Sequence, residues 1–350
     1  MTRDATRSDA ASGPWVRGRG GSKGVGHPGQ QGAVTEDWGL GPPGASGGVG
    51  SGGAPPGQRS GPAGQPSERA RVITAHAGAK AAGENFPVAL RLLPGRHRRH
   101  LAAVYGFARS ADDLGDEAPP DERLRLLDEL EADLGRLYRP GPGGAGPRLP
   151  VIQALAPAVT QRAIPAQPFL DLIQANRQDQ VVIRYQTFDE LLGYCRLSAN
   201  PVGRIVLHVF GAATPARERL SDLVCTALQL AEHWQDVAED FRAGRIYLPG
   251  KDLASYGVTE ADLAAPSASP QLRALLGFEV RRAAGLLDEG APIVGTLRGF
   301  ARAAVAGYVA GGRAALAAIT ASGCDVLAAT PRPRKPRVAA ELLRAYLAGR

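Results

Sequence analysis

Apolar residues recur every three or four positions through most of this chain. Leu101, Val104, Tyr105 and Ala108 stand at positions i, i+3, i+4 and i+7, a spacing that predicts a helix with one buried face. Alternating β-branched runs are few, and Gly and Pro are widely separated beyond about residue 71. The pattern predicts a single all-α domain over residues 76–330, with a central cavity among long helices.

The two ends of the chain differ from this body. The first 70 residues contain 19 Gly and 8 Pro, and such a segment cannot offset the entropy that it would lose on ordering. We therefore predict that residues 1–75 are disordered. A shorter Gly/Pro patch at residues 140–150 predicts a loop between helices. Residues 331–350 are predicted to form a basic tail, solvated and frayed.

The net charge of +7 is concentrated at the chain's ends. Residues 71–329 hold 28 basic and 28 acidic side chains, whereas residues 330–350 hold six basic and one acidic. A neutral body argues against a nucleic-acid-binding protein, while the basic tail allows peripheral contact with anionic lipid. The sequence indicates no oligomeric state.

Three further features bear on localisation. No uncharged apolar run approaches the roughly 18 residues that a membrane-spanning helix needs, and no apolar secretory segment follows Met1. The three cysteines, Cys195, Cys225 and Cys324, are isolated from one another, which suits a reducing compartment. We expect a cytoplasmic protein, peripheral at most to the inner face of the membrane.

Carboxylates continue the apolar face of the first segment. At about 100° per residue, Asp112 and Asp116 fall near the face that carries Leu101. Burial of a carboxylate is costly unless it is paired or bound to a metal. Spacing alone leaves an alternative in which the helix emerges into solvent at Asp112, with Asp113 and Glu117 as ordinary surface acids.

A second segment combines an apolar stripe with an acidic one. Its apolar positions are Leu230, Trp234, Val237 and Phe241. On the other side, Glu232, Asp236 and Asp240 stand at i, i+4 and i+8, with no basic residue before Arg242. Like charges at this spacing repel, so the stripe indicates a divalent cation, and oxygen ligands favour Mg²⁺. The alternative is the solvent face of an amphipathic helix.

Two such helices facing each other would form a diphosphate site. They would present five ligands to Mg²⁺, namely Asp112, Asp116, Glu232, Asp236 and Asp240. The ions would complete their coordination with phosphate oxygens and make diphosphate a good leaving group. Arg109 and Arg245 could bind the same anion, and an apolar helical body could hold a polyprenyl chain.

These motifs resemble the squalene/phytoene synthase family of all-helical class I isoprenoid synthases. The resemblance covers about residues 80–335. It includes ENFPV from Glu84, the first acidic motif, YCRLSANPVG from Tyr194, and the second acidic motif with its continuation RIYLP from Arg245. It implies a single-domain isoprenoid synthase fold in which two aspartate-rich helices line the central cavity.

The resemblance also implies roles for individual residues. Catalytic roles are implied for Tyr105, Arg109, Asp112, Asp116, Asp236 and Asp240. Substrate contact is implied for Phe86, Tyr194, Ser198, Ala199, Val202, Gly203, Gln229, Arg245 and Tyr247. Glu232 departs from the family, which usually has an Asn metal ligand at this position. Glu keeps an oxygen donor but adds a charge and a methylene.

Within the family, ENFPV, YCRLSANPVG, HWQDV and GGRAALAAI are similar to the branch that forms hydroxysqualene in bacterial hopanoid biosynthesis. That resemblance implies Mg²⁺-assisted loss of diphosphate from presqualene diphosphate, rearrangement of a cyclopropylcarbinyl cation and capture by water. No GxGxxG follows a predicted strand, so no nicotinamide cofactor is expected.

Two alternative functions remain. One is head-to-head condensation of two prenyl diphosphates to presqualene or prephytoene diphosphate, as in squalene and phytoene synthases. The other is a non-catalytic family member that acts as a binding or assembly factor. Retention of Asp112, Asp116, Asp236 and Asp240 favours an enzyme over the second alternative.

Overall fold

The computed structural model describes residues 66–74, 93–139 and 146–348. Apart from an isolated bridge between Arg184 and Ile246, these ranges contain helices, turns and short connections, which confirms the predicted all-α class. The helices in chain order are α1 (Gly95–Asp116), α2 (Arg123–Tyr138), α3 (Pro150–Arg162), α4 (Gln167–Gln178), α5 (Phe188–Ser198), α6 (Asn200–Val209), α7 (Pro215–Gln235), α8 (Val237–Arg242), α9 (Gly250–Ser255), α10 (Glu260–Leu263), α11 (Pro270–Gly290), α12 (Ile293–Thr296), α13 (Gly299–Ala321) and α14 (Lys335–Ala348).

Polar side chains just before the first turn define where several helices begin. Thr187 caps α5, because its hydroxyl accepts a hydrogen bond from the backbone N–H of Glu190 at 3.2 Å. The Glu190 carboxylate accepts the Thr187 N–H in return at 3.4 Å, which satisfies two otherwise orphaned donors. Thr214 caps α7 in a similar way, and Pro215 follows in its first turn.

The two helices that carry the acidic motifs lie in different parts of the core. α1 packs against α2, α3, α4 and α6, whereas α7 packs against α5, α6, α11 and α13. Each group of helices has its own cluster of buried apolar side chains. α6 contacts both motif helices, and Phe210 and Tyr308 pack against both clusters. α6 therefore links the two groups of helices.

Part of the segment predicted to be disordered is helical. Residues 68–74 are helical, and within them Ala70 and Thr74 are fully buried. The backbone N–H and the hydroxyl of Ser67 donate to the Glu129 carboxylate of α2 at 2.8 and 2.7 Å. The predicted disorder is therefore wrong for residues 66–74. Residues 1–65 and the ENFPV motif lie outside the described ranges.

The C-terminal tail also departs from expectation. Residues predicted to fray form α14, and its Ala345 is buried against the protein. Arg302 of α13 donates to the Tyr346 carbonyl at 2.5 Å, and its guanidinium lies over the Tyr346 ring at 4.6 Å. The excess of basic residues did not predict this helix, because the apolar residues of the segment, and not its arginines, attach it to the core.

α13 is a long, apolar helix. Within the described ranges it is the one helix long and apolar enough to cross a membrane, with a mean hydropathy of 1.3. Half of its most apolar stretch is buried inside the protein, where α13 packs against α7, α11 and α14. A core helix passes the same test of length and composition, so the finding is weak support for a membrane span.

Candidate active site

The acids at the end of α1 occupy distinct environments. Asp113 is only 3% exposed, and its carboxylate lies 2.8 Å from Nε of Arg109. Glu117 is exposed and lies 3.4 Å from Nη2 of the same arginine. Asp112 and Asp116 are partly buried. The alternative that treated Asp113 as an ordinary surface acid is therefore wrong, whereas it fits Glu117.

Arg109 is held within α1 by these neighbours. Burial by itself lowers the pKa of Arg109, but the nearby acids, led by Asp113, outweigh it and raise the pKa above its ordinary value. The guanidinium consequently stays charged. The predicted diphosphate contact of Arg109 would therefore have to compete with Asp113 and Glu117 for the same donors.

Asp112 is oriented by a residue that the sequence did not single out. Asn176, buried on α4, donates from Nδ2 to Oδ1 of Asp112 at 3.1 Å. The close approach of the Asn176 side chain to α1 depends on Gly115, because a Cβ there would lie 2.8 Å from Oδ1 of Asn176. The same amide also donates to the Leu172 carbonyl at 3.0 Å. Asn176 thus fixes both its own helix and the first acid of the motif.

Arg245 joins the two acidic motifs. Its Nη2 lies 3.3 Å from Oδ1 of Asp116 and 3.5 Å from the backbone oxygen of Asp179. The Arg245 side chain is largely buried, so water screens this pairing less than it would at the surface. The segment after the second motif therefore contacts the last acid of the first motif.

The second motif is not one continuous helix. α7 ends at Gln235, and Asp236 has φ −103° and ψ 16° before α8 begins. Hydrogen bonds from Asp236 N to Glu232 O at 2.9 Å and from Asp240 N to Asp236 O at 2.8 Å nevertheless preserve the helical spacing. The predicted continuous stripe therefore bends at Asp236.

Burial separates the acids of this second motif. Asp240 is 9% exposed, Glu232 and Asp236 are partly buried, and Glu239 is exposed. The solvent-face alternative therefore fits Glu239 and fails for Asp240. The apolar stripe lies as predicted, with Leu230, Trp234 and Val237 buried and Phe241 partly buried.

His233 connects the second motif to the predicted substrate residues. Its ring stacks on Tyr247 with centroids 3.7 Å apart and planes 14° apart. Its Nε2 lies 3.2 Å from Nε2 of Gln229, and its Nδ1 lies 3.9 Å from Oδ2 of Asp240. Gln229, Tyr247 and Asp240 therefore meet at one buried histidine, whose ring holds their relative positions.

Three tyrosines form an aromatic cluster around this histidine. Tyr194 lies 5.9 Å from Tyr247 and 5.6 Å from Tyr185 between ring centroids. The Tyr194 hydroxyl donates to the buried carboxylate of Asp179 at 3.0 Å. Burial raises the pKa of Tyr185 above its ordinary value, so the ring remains a neutral phenol. Tyr185 and Asp179 were missed in the sequence because both lie in a short connection without periodicity.

The central motif forms two helices with a break between them. α5 ends at Ser198, Ala199 has φ −105° and ψ −47°, and α6 follows. The Ser198 hydroxyl donates to the Tyr194 carbonyl at 3.1 Å, while Ala199 and Val202 are buried. The hydroxyl of Ser198 is thus occupied by its own helix, which leaves the apolar side chains as the surface this motif could offer a substrate.

Gly203 has a packing role in this motif. A Cβ at this position would lie 2.4 Å from Oγ of Ser221 and 2.5 Å from Sγ of Cys225. Glycine therefore allows α6 to approach α7 closely. Beside it, Asn200 accepts a hydrogen bond from the Thr226 hydroxyl at 3.0 Å and joins the same two helices. The close helix contact accounts for Gly203 without the predicted substrate contact.

Two other predicted residues are Tyr105 and Phe86, of which only Tyr105 falls within the described ranges. Tyr105 is partly buried on α1, one turn before Arg109. Phe86 lies outside the described ranges. The predicted site residues that the structure describes therefore lie on α1, α5, α6, α7 and α8, in the breaks beside these helices, and in the connection that carries Arg245 and Tyr247.

The residues fit magnesium in chemistry but do not form a preassembled cage. Across residues 66–74, 93–139 and 146–348, no three His, Cys, Asp or Glu side chains make a ready metal-binding group. All five predicted ligands are nevertheless carboxylates on shielded or partly shielded positions. Hard oxygen donors of this kind suit Mg²⁺, which keeps several waters and binds phosphate oxygens.

An all-helical core with two acid-bearing helices is the architecture of an isoprenoid synthase. The chain belongs to the squalene/phytoene synthase family, whose sequence profile matches residues 79–340. This match confirms the family that the motifs indicated. Members of the family act on polyprenyl diphosphates.

Two relatives with different names match similar lengths of this chain. A hydroxysqualene synthase of Rhodopseudomonas palustris is 38% identical over 221 residues, covering 62% of this chain and 72% of that protein. A phytoene synthase of Mycobacterium tuberculosis is 33% identical over 219 residues, covering 61% and 70%.

Solved structures show the same fold. The squalene synthase HpnC from Alicyclobacillus acidocaldarius superposes with a TM-score of 0.66 at 38% identity, covering 73% of this chain and 96% of that one. A dehydrosqualene synthase in complex with ligand gives a TM-score of 0.69 at 26% identity, covering 81% and 99%.

Proposed function

We propose that this protein converts presqualene diphosphate and water to hydroxysqualene and diphosphate, with Mg²⁺ bound. The observation that supports the proposal most directly is the 38% identity to a hydroxysqualene synthase over 221 residues. The acids of both motifs are retained, and Arg245 links them through its 3.3 Å contact with Asp116. We also propose that the protein is cytoplasmic.

The leaving group would be bound between the acidic motifs. Asp112, Asp116, Glu232, Asp236 and Asp240 would hold Mg²⁺, whose positive charge would stabilise diphosphate as the leaving group that takes the C–O bonding pair. Arg245 lies beside Asp116 and can donate to the same anion. Asn176 keeps the Asp112 carboxylate in one orientation, which lowers the cost of arranging the site on binding.

The aromatic cluster would face the carbocation. Loss of diphosphate leaves a cyclopropylcarbinyl cation, which rearranges and forms a C–O bond with water, and the released proton passes to solvent. The faces of Tyr194 and Tyr247 can stabilise a cation that is shielded from water. Asp179 fixes the Tyr194 hydroxyl, and the stack on His233 fixes Tyr247.

Product analysis by gas chromatography–mass spectrometry tests this proposal. The full chain receives Mg²⁺ with presqualene diphosphate in one tube and with farnesyl diphosphate in a second, without reductant. We expect hydroxysqualene in the first tube. The matched control is the double variant Asp236→Asn, Asp240→Asn, which should form no product while its circular dichroism spectrum stays helical.

A second candidate is head-to-head condensation of two prenyl diphosphates. It is favoured by the 33% identity to a phytoene synthase and by the TM-score of 0.69 to a dehydrosqualene synthase. Presqualene diphosphate in the second tube, with none of the alcohol in the first, would favour this candidate. If a folded protein forms no product in either tube, the result would instead support a non-catalytic binding or assembly factor.

A further inference from the structure

α14 has two faces of different character. Its inner face contains buried Ala345 and partly buried Val338, Glu341 and Tyr346, and it packs against α12 and α13. The contacts of Arg302 with Tyr346 attach the helix to the protein. The opposite face is therefore presented to the surroundings by a helix that is fixed to the body.

The outward face is apolar along the whole helix. At about 100° per residue, five exposed positions share one side. They are Pro336, Ala339, Ala340, Leu343 and Leu347. Leu343 is 60% exposed and Leu347 is 47% exposed. Amphipathic helices of water-facing surfaces carry polar side chains in this position, so the pattern of α14 is reversed and indicates an apolar partner.

The charges around this face have one sign. Arg337 and Arg344 lie along one edge of it, and Arg332, Arg334 and Lys335 lie at or just before the start of the helix. The one acid of residues 330–350 is Glu341, whose side chain is only 13% exposed, lies toward the inner side and is 3.6 Å from Nη1 of Arg344, which itself stays 73% exposed. An approaching surface therefore meets apolar side chains bordered by positive charge.

We propose that the outward face of α14 docks onto an anionic lipid bilayer. Leu343 and Leu347 enter the boundary between headgroups and acyl chains, while the flanking arginines contact the lipid phosphates. A second copy of the chain fits less well, because pairing two such faces brings like charges together. Exposed leucines bordered by basic residues have the complementarity that anionic lipid requires.

Vesicle co-sedimentation of the full chain tests the proposal without any substrate. One vesicle type is phosphatidylcholine alone, and the other contains phosphatidylcholine with phosphatidylglycerol. We expect binding to the anionic vesicles that weakens as salt is added. The double variant Leu343→Ser, Leu347→Ser should lower the partition coefficient by about tenfold or more, because two buried leucine side chains are lost from the interface.

Two further variants make the test specific. Arg337→Gln with Arg344→Gln should lower binding to anionic vesicles about tenfold and flatten its salt dependence. Leu124→Ser removes a leucine that is 49% exposed on α2, far along the chain from α14, and should leave vesicle binding unchanged. Circular dichroism and thermal unfolding check that each variant is folded.

Three outcomes would overturn the proposal. The full chain could fail to bind anionic vesicles, or the leucine double variant could bind as tightly as the parent, which would assign binding to another basic segment. Light scattering could also show a dimer that the leucine substitutions dissociate without lipid, which would assign the face to a second copy. None of these outcomes bears on the proposed reaction, which is measured separately by product analysis.

Discussion

The guanidinium of Arg245 lies 3.3 Å from the carboxylate of Asp116, although 129 residues separate them in the chain. One residue belongs to the connection after the second acidic motif, and the other closes the first motif. The contact places a protein cation beside an acid that is proposed to bind Mg²⁺. Diphosphate arriving at this point would meet a guanidinium already held in place.

Arg245→Gln should impair the reaction through the loss of this charge. We expect a fall of about 10- to 100-fold in kcat/KM for the diphosphate substrate, the range for one hydrogen bond to a charged group. Steady-state kinetics at saturating Mg²⁺ measures it. The control is Arg242→Gln, three residues away and exposed, which should change kcat/KM little. Equal effects of the two substitutions would contradict a specific role for Arg245.

Glu232→Asn should retain or raise turnover. The amide keeps an oxygen donor for Mg²⁺ and removes one charge from a stripe in which acids repel at four-residue spacing, by about 0.2–0.5 kcal/mol for each pair. Turnover as a function of Mg²⁺ concentration is the measurement, with Glu239→Gln on the exposed side as control. A loss of more than about a hundredfold would show that the charge of Glu232 is required.

Asn176→Leu should weaken Mg²⁺ binding while the protein remains folded. The substitution removes the amide that donates to Asp112 at 3.1 Å, and residues that orient a metal ligand typically contribute about 10- to 100-fold to affinity. The thermal shift produced by added Mg²⁺ reports binding independently of activity. Gln174→Leu, exposed on the same helix, is the control. An unchanged Mg²⁺ titration for Asn176→Leu would show that Asn176 does not orient Asp112 for Mg²⁺ binding.

Gly203→Ala should destabilise the protein because a Cβ there meets Ser221 and Cys225 at 2.4 and 2.5 Å. Overpacking of this kind costs about 1–3 kcal/mol in the free energy of unfolding. Gly285→Ala is the matched control, since its Cβ would meet nothing within 4 Å on α11, and it should stabilise by about 0.5–1 kcal/mol. Urea unfolding measures both. If both substitutions stabilise the protein, α6 and α7 can move apart at little cost in free energy.

Glu279 should make stability depend on pH. Burial raises its pKa to about 8, with Arg282 opposing the shift and a hydrogen bond to Asp252 adding to it. Between its ordinary value of 4.5 and about 8, the unfolded chain loses this proton while the folded protein keeps it. Stability from this group is therefore complete below about pH 4.5 and is lost as the pH rises to about 8.

Comparison of the parent protein with Glu279→Gln isolates this effect. The free energy of unfolding of the parent, relative to that of the variant, should fall as the pH is raised from 5 to 8. Urea unfolding at several pH values measures the difference, and Glu289→Gln, exposed on the same helix, should show no such trend. A constant difference across this range would place the pKa of Glu279 near its ordinary value.

The sequence by itself determined the helical class, the family and most candidate residues. Apolar spacing in α1 and α7 is a property of one or two turns, and the side chains that cap or fill those turns lie within a few positions of one another. Motifs such as DDLGD and HWQDV are equally local. Features of this kind can be read before any helix is placed against another.

Tertiary structure alone decided which acids are buried and what holds them. The helical projection placed Asp112 inward, yet packing buries Asp113 with Arg109 and gives Asp112 its partner from α4. It also turned the predicted tail into α14. These contacts join residues that are distant in sequence, and the energy of each depends on how whole helices dock. Local periodicity carries no information about that docking, because which side of a helix is buried depends on the elements that pack against it.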